Sequence, residues 1–253
     1  MQHVQGIAIQ PNDPSAPLPA LQQAKDGGAK ILETNVNSLP QSLKVASVTA
    51  LDYNLVGPSQ IAEVGKLMNY TGQFAILSAA PTSVFQNQQV ALMKKLLKSN
   101  PKYRKMHLVK VAYGNDQSVP SVTATNALLT AFPNLKAITS PTTVGIAAAA
   151  QAIESAHKQG KIILTGLGLP SQMRKYVLDG TVKEFQLWDP KNMGTVSAYV
   201  LDRAISGVQF TPGMKFTVPG STLGTLTVAN DGGIYCQHSL TTFTKANINQ
   251  FDF

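Results

Sequence analysis

The 253 residues, 43% of them hydrophobic, suffice for one or two domains with a sizeable core, which excludes an intrinsically disordered chain. Only 13% of the residues are charged, and 21 Lys and Arg against 13 Asp and Glu leave a net charge of +8. The single cysteine, Cys236, excludes an intramolecular disulfide framework, and His3, His107, His157 and His238 never fall at H-x-x-x-H spacing, so no metal site is expected.

The first predicted element is a buried strand, Gly6-Ile7-Ala8-Ile9, stopped by the turn cluster Gln10-Pro11-Asn12-Asp13. A helix from Ser15 to Asp26 follows, with Leu18, Leu21 and Ala24 as its apolar stripe and Gly27-Gly28 as its end. Further apolar runs read as strands at Lys30 to Thr34, Val45 to Thr49, Phe74 to Ser78, His107 to Ala112, Leu135 to Thr139, Ile162 to Thr165 and Val182 to Leu187. Most are separated by helical patterns. The clearest is Thr143 to His157, where Ile146, Ala150, Ile153 and His157 line one face, Glu154 is spaced to pair with Lys158, and His157 stands at the C-terminal, negative end. After a helix from Met193 to Ile205 the period shortens, and Lys215 to Val218 and Thr225 to Val228 read as a small antiparallel tail with turns at Pro219-Gly220 and Asn230-Asp231-Gly232-Gly233. Strands alternating with helices of 10 to 15 residues define an α/β fold with parallel sheets flanked by helices.

The densest positive group, Lys94, Lys95, Lys98, Lys102, Arg104 and Lys105, begins on a helix whose apolar stripe is Val90, Met93 and Leu97. It reads as a solvated helix face, and no nucleic-acid partner is expected because no aromatic stacking ladder accompanies it. A membrane span needs about 20 apolar residues, and the stretch from Ala137 to Ile153 is interrupted by Thr139, Ser140, Pro141, Thr142 and Thr143. Met1 to Gly6 has no positive region followed by an apolar one, so no signal peptide is read in this chain.

Enzymatic motifs do not emerge. Gly166-Leu167-Gly168-Leu169-Pro170-Ser171 lacks the third glycine of a dinucleotide loop, Gly220-Ser221-Thr222-Leu223-Gly224 is not a nucleophile elbow, and Gly160-Lys161 is followed by Ile162. Open parallel sheets bind ligands outside the carboxyl ends of their strands. Here those positions are Asn12 and Asp13, Asn35 and Asn37, Pro81 to Asn87, Asn115 and Asp116, Thr142 and Thr143, Leu167 to Leu169, and Trp188 with Asp189. Neutral amides and hydroxyls beside flat aromatics suit a polyol; the same residue types also serve as turn formers and helix caps.

At these residues the chain resembles the periplasmic sugar-binding proteins of ABC importers, in particular the rhamnose-type group and the related autoinducer-2 receptor. The resemblance is carried by Gly6 to Pro14, by Ser140-Pro141-Thr142-Thr143-Val144-Gly145-Ile146 with Ala147 to Ala150, by Leu164 to Val177, by Gly180 to Pro190, and by the ending Asn247 to Phe253. It implies a non-enzymatic protein without a cofactor, located in the periplasm, with a membrane permease of an ABC importer as partner. A small sugar, rhamnose-like or autoinducer-2-like, would sit in a cleft between two lobes. The implied lobes are 1–50 with 189–212, and 51–188 with 213–253, with crossings near Ala50 to Asp52, at Trp188 and Asp189, and around Phe210 to Gly213. The implied ligand positions are Asn35, Asn37, Phe85, Gln86, Thr142, Ala147, Ala149, Gly168, Trp188 and Asp189.

Two departures from the family stand out. Asn35 replaces an expected carboxylate, and Phe85 an expected Asp or Asn, which removes hydrogen-bonding capacity from a hydroxyl-binding site. The family also carries two strand-helix units ahead of the segment matching Gly6, roughly 60 residues at ~30 per unit. The expectation is therefore an incomplete first lobe of three parallel strands, with Gly6 to Ile9 at an unprotected edge, either self-association through that lobe or local disorder in it, and weakened or absent sugar binding. The alternative function is the effector domain of a sugar-responsive transcription regulator, which shares this architecture.

Overall fold

The computed structural model describes residues 4–11 and 13–253; His3 and Asn12 lie outside the described residues. The chain forms two compact units, Met1–Asp52 with Trp188–Ser239, and Tyr53–Leu187 with Leu240–Phe253. It begins in unit 1 with β1 (Gly6–Ile9), α1 (Leu18–Asp26), β2 (Lys30–Thr34) and β3 (Ala46–Thr49). Unit 2 follows with α2 (Val56–Leu67), β4 (Thr71–Ser78), α3 (Val84–Ser99), β5 (Lys105–Tyr113), α4 (Ser118–Ala131), β6 (Leu135–Ser140) and α5 (Thr143–Ser155). It continues through β7 (Ile163–Gly166), α6 (Pro170–Leu178) and β8 (Glu184–Leu187). The chain then returns to unit 1 with α7 (Pro190–Ile205), β9 (Lys215–Thr217), β10 (Thr225–Thr227) and β11 (Gly233–Tyr235), and ends in unit 2 with β12 (Thr241–Thr244).

The sheet of unit 1 has the order β1-β2-β3-β11 and every pairing in it is parallel. A parallel sheet is covered on both faces, so its inner strands run apolar without alternation, and Ile31, Leu32, Ala46 and Val48 are all buried. Ile31 joins Leu21 of α1 with Leu39 and Leu43 on one face. Leu32 and Val48 join Val196 and Val200 of α7 on the other. Burying a Leu, Ile or Val side chain stabilises by about 1.5–3 kcal/mol, so these two clusters fix α1 and α7 against opposite faces.

Unit 2 has the parallel order β5-β4-β6-β7, extended by a parallel bridge from Leu167 to Gln186 of β8 and closed by antiparallel β12. Ile61, Val64 and Met68 from α2 and its end pack with Val90 and Met93 of α3 on Phe74, Ile76 and Ala137 of the sheet. The alanines Ala148, Ala149, Ala150 and Ala152 of α5 are buried, and small side chains there let α4 pack against α5.

Four expectations change. The tail does contain the antiparallel pair β9 and β10, but β11 pairs in parallel with β3, Gly233 opposite Ser47. Unit 1 therefore has four parallel strands instead of three, and residues 213–239 belong to it instead of to unit 2; the last crossing falls after Ser239, not around Phe210 to Gly213. The helix expected to reach His157 ends at Ser155, because His157 adopts a left-handed φ of 53° and Lys158 N–H turns back to the Ile153 carbonyl at 3.0 Å. Glu154 pairs with Lys175 at 2.9 Å instead of with Lys158.

Candidate functional site

In unit 1 the carboxyl ends of the strands open at Asn35, which leaves β2 with φ 61°, a conformation that asparagine tolerates better than most residues. Its N–H still donates to the Val48 carbonyl at 2.9 Å, which holds the turn on the sheet. Asn35 is half-buried and Asn37 exposed. Asn37 is nevertheless engaged: its Oδ1 accepts from Lys44 Nζ at 2.6 Å and Ser47 Oγ at 2.9 Å, and its Nδ2 donates to the Asp231 carbonyl at 3.4 Å.

Beneath this turn Glu33 is fully buried and surrounded by donors. Its Oε1 accepts from Ser38 N–H at 2.9 Å, Ser38 Oγ at 2.6 Å and Leu39 N–H at 3.0 Å, and its Oε2 takes Lys44 Nζ at 2.5 Å with Ser47 Oγ at 3.1 Å. Burial alone would raise the carboxyl pKa, but the bonds from Lys44 and Ser38 outweigh it and hold it below the ordinary value. This network pins the loop that carries Asn35 and Asn37. Across it, Tyr235 OH donates to Asp231 Oδ2 at 2.6 Å. Burial works against ionising Asp231, yet Tyr235 and the Gly233 N–H more than compensate, and the tyrosine is itself raised by burial and by that carboxylate.

Trp188 and Asp189 precede α7, both half-buried. Asp189 caps that helix: Oδ1 accepts from Lys191 N–H at 2.8 Å and Oδ2 from Asn192 Nδ2 at 3.2 Å, while its N–H donates to Gln237 Oε1 at 3.0 Å. Gln237 was missed from sequence because it follows β11, a three-residue strand. Cys236 beside it is buried, which pushes its thiol up to about 12, so the sulfur stays protonated and poorly nucleophilic at neutral pH.

In unit 2 the strand ends are tied to one another. Ser140 Oγ donates to the Leu77 carbonyl at 2.8 Å, Asn115 N–H to the Ala79 carbonyl at 2.7 Å, and Thr142 Oγ1 to Asp116. Gly166 has φ +142°, and a Cβ there would lie 2.1 Å from the Ser140 carbonyl oxygen, so only glycine brings β7 this close to β6. Gly168 is also confined: a Cβ would stand 2.8 Å from Met173 and 2.9 Å from Phe185.

Phe85 packs edge-on against Tyr53, centroids 4.9 Å apart, and Gln86 accepts from Ser83 Oγ. Phe85, Gln86 and Ala147 are half-buried, whereas Thr142 is 4% exposed and Gly168 is buried. Ala149 is a core residue with 0% exposure. It lies six residues into α5, roughly 9 Å along the axis from the helix start, and presents no surface. Of the ten expected positions, then, Asn35, Asn37, Trp188 and Asp189 gather at the rim of unit 1. Phe85, Gln86, Thr142, Ala147 and Gly168 do so at the rim of unit 2, and Ala149 lies apart.

A concavity of about 260 Å³ lies on the flank of unit 2, lined by residues that include Ser59, Glu63, Lys66, Glu184, Gln186 and Thr242. Lys66 pairs with Glu184 at 2.9 Å at its margin. Glu63 Oε2 accepts from Thr165 Oγ1 at 2.7 Å, but Oε1 is buried without a partner. Burial, followed by the Glu184 charge, outweighs the Thr165 bond and Lys66 and raises the Glu63 carboxyl to about 8.

Two α/β units, each with polar loops at the carboxyl ends of parallel strands, define a binding protein of the type that takes ligands at strand ends. Residues 1–209 match the model of the periplasmic binding protein domain, and the chain belongs to that family. A sugar ABC transporter protein from Actinomyces odontolyticus is 36% identical over 98% of this chain and 79% of its own, with a TM-score of 0.86. An ABC transporter solute-binding protein from Clostridium phytofermentas with bound L-rhamnose is 34% identical over 98% and 80%, also at 0.86. LsrB from Clostridium saccharobutylicum in complex with AI-2, at 22% identity and a TM-score of 0.85 over 98% and 82%, shares the fold. The chain thus spans about four-fifths of the proteins it matches. Among the described residues no helix is long and apolar enough to cross a membrane.

Proposed function

We propose that this chain is the solute-binding component of an ABC-type sugar importer. The supporting observation is the 34% identity, over 98% of the chain, to a solute-binding protein with L-rhamnose bound. On this reading the protein works outside the cytoplasmic membrane, delivers its sugar to a membrane permease and catalyses nothing.

The ligand is a small deoxyhexose, pentose or autoinducer-2-like polyol. Asn35 and Gln86 supply amide donors and acceptors, Thr142 a hydroxyl and Trp188 a flat apolar face for the sugar ring, while Phe85 stands where the resemblance expects a polar partner. The Asn37 amide and the Asp189 carboxylate each serve two or more internal bonds, so their part is to shape the loops around the sugar, whereas Thr142 Oγ1, donating to Asp116, and Gln86 Oε1, accepting from Ser83, each make one and keep lone pairs for it. Ala147 and Gly168 leave room because neither carries a large side chain.

Titration calorimetry with L-rhamnose, D-arabinose, D-fucose and autoinducer-2 tests the proposal. Saturable binding of one of them, with a change in Trp188 fluorescence, is the expected result. No heat with any of the four and no thermal shift across a wider panel of pentoses and deoxyhexoses would overturn it.

A further inference from the structure

Between Glu63 and Asp116 the sequence contains no acidic residue, while eight of its 21 Lys and Arg fall there. The remaining 13 basic and 13 acidic residues cancel, so this stretch accounts for the whole net charge of +8. The fold concentrates the charge further. Lys94, Lys95 and Lys98 lie on the last two turns of α3, Lys102 and Arg104 on the short turn that follows, and Lys105 at the start of β5; all six are exposed. Among the described residues no carboxylate comes within ion-pair distance of any of them.

We propose that this end of unit 2 is a docking surface for an anionic phospholipid membrane. Thr71 opposes Lys105 in the parallel register, so the patch sits at the amino ends of β4 and β5. The rim loops of the same unit leave the other ends of these strands. The eight residues of β4 separate the two by about 26 Å at ~3.3 Å per residue, so a membrane against the patch leaves the rim of unit 2 uncovered.

The composition selects lipid over nucleic acid. Five of the six charges are lysines, compact point charges suited to a diffuse layer of phosphates, whereas base recognition relies on arginine forks and stacked rings. The nearby rings are engaged: Tyr103 is 5% exposed, and Lys102 lies 4.4 Å over the Tyr70 ring. β5 is an edge strand, where lysines also deter edge-to-edge pairing. That role accounts for Lys105 and Lys110 but not for the lysines on α3.

Co-sedimentation of the full chain with phosphatidylcholine vesicles, with and without phosphatidylglycerol, tests this independently of sugar binding. Binding is expected only with phosphatidylglycerol, and it should collapse at high salt. Replacing Lys94, Lys95, Lys98, Lys102 and Lys105 with Gln should lower the partition coefficient by about a hundredfold or more. A control that removes the same number of charges elsewhere, Lys30, Lys161, Lys183, Lys215 and Lys245 to Gln, should lose far less. The pair Lys98→Gln and Lys102→Gln gives an intermediate loss and serves if the larger variant fails to fold, as judged by circular dichroism. Absence of binding to phosphatidylglycerol vesicles, equal losses in patch and control variants, or tighter patch-dependent binding to duplex DNA than to vesicles would each overturn the proposal.

Discussion

Glu33 in unit 1 and Glu63 in unit 2 are both buried carboxylates packed against a parallel sheet, yet one is held below the usual carboxylate range and the other is raised to about 8. Burial acts on both in the same direction. The difference is the number of donors: Glu33 faces Lys44 and Ser47 as well as two N–H groups and a hydroxyl from its own loop, whereas Glu63 has Thr165 on one oxygen and nothing on the other. Unit 1 holds a fixed charge that orders its rim loop, and unit 2 holds an acid that keeps its proton at neutral pH.

The comparison breaks most visibly if one half of the unit 1 pair is removed. Glu33→Ala leaves the Lys44 ammonium buried, and Lys44→Met leaves the Glu33 carboxylate without its cation; each should cost about 3–5 kcal/mol. Chemical denaturation followed by hydrogen exchange should show β2 and the loop to Leu43 losing protection while unit 2 keeps its own. A loss below 1 kcal/mol would mean that water reaches the pair and the apparent burial counts for little.

The next largest effect is a pH slope in unit 2. The folded-state pKa of Glu63 is raised from the ordinary 4.5 to about 8, so the native state keeps a proton that the unfolded chain gives up. Its stabilising share is complete below 4.5 and is lost as pH rises from there through 8. That amounts to on the order of 3 kcal/mol between pH 5 and pH 8, at ~1.4 kcal/mol per pKa unit. Glu63→Gln should flatten this slope in thermal unfolding measured across that range. Parallel slopes in the two proteins would show Glu63 ionised and solvated at neutral pH.

Little of this contrast was legible in the sequence, although much of the fold was. The strands from Gly6–Ile9 to Glu184–Leu187 announce themselves as short apolar runs, because parallel strands covered on both faces need no alternation. Glu33 stands as a polar step inside such a run, and nothing adjacent to Glu63, between Ala62 and Val64, marks it as buried. What buries Glu63 comes from far along the chain: Thr165 lies 102 residues away. β11 was hidden for a related reason, since Gly233-Ile234-Tyr235 is too short to show a period and takes its identity from β3. At the rim, the polar residue types were visible as candidates. Which of them were already committed to internal bonds, as Asn37 and Asp189 are, depended on Lys44, Ser47 and Asn192 as partners.

A smaller test sharpens the same contrast. Thr165→Val deletes the hydroxyl donating to Glu63 while keeping the β-branched shape that β7 requires. It should destabilise unit 2 by about 1–2 kcal/mol and move the pH slope to higher pH, because burial of the carboxyl is then opposed by less. An unchanged slope with the same loss of stability would assign Thr165 to packing alone.

The smallest expected effect concerns the two aromatics at the rims, Trp188 in unit 1 and Phe85 in unit 2. Trp188→Ala should weaken sugar binding by about 1 kcal/mol through the lost ring face. Phe85 stands where the resemblance expects Asp or Asn, so Phe85→Asn exchanges an edge-on contact with Tyr53 for an amide that can pair a sugar hydroxyl. The exchange should lower the melting temperature slightly, since an aromatic pair contributes about 0.5–1.5 kcal/mol. It should also strengthen rhamnose binding by about fivefold, the equivalent of one net hydrogen bond near 1 kcal/mol. Calorimetry on both variants separates the two roles. If Phe85→Asn binds rhamnose more weakly than the parent while Trp188→Ala is unaffected, the ring of Phe85 is the face on which the sugar rests, and the stacking belongs to unit 2 instead of to Trp188 in unit 1.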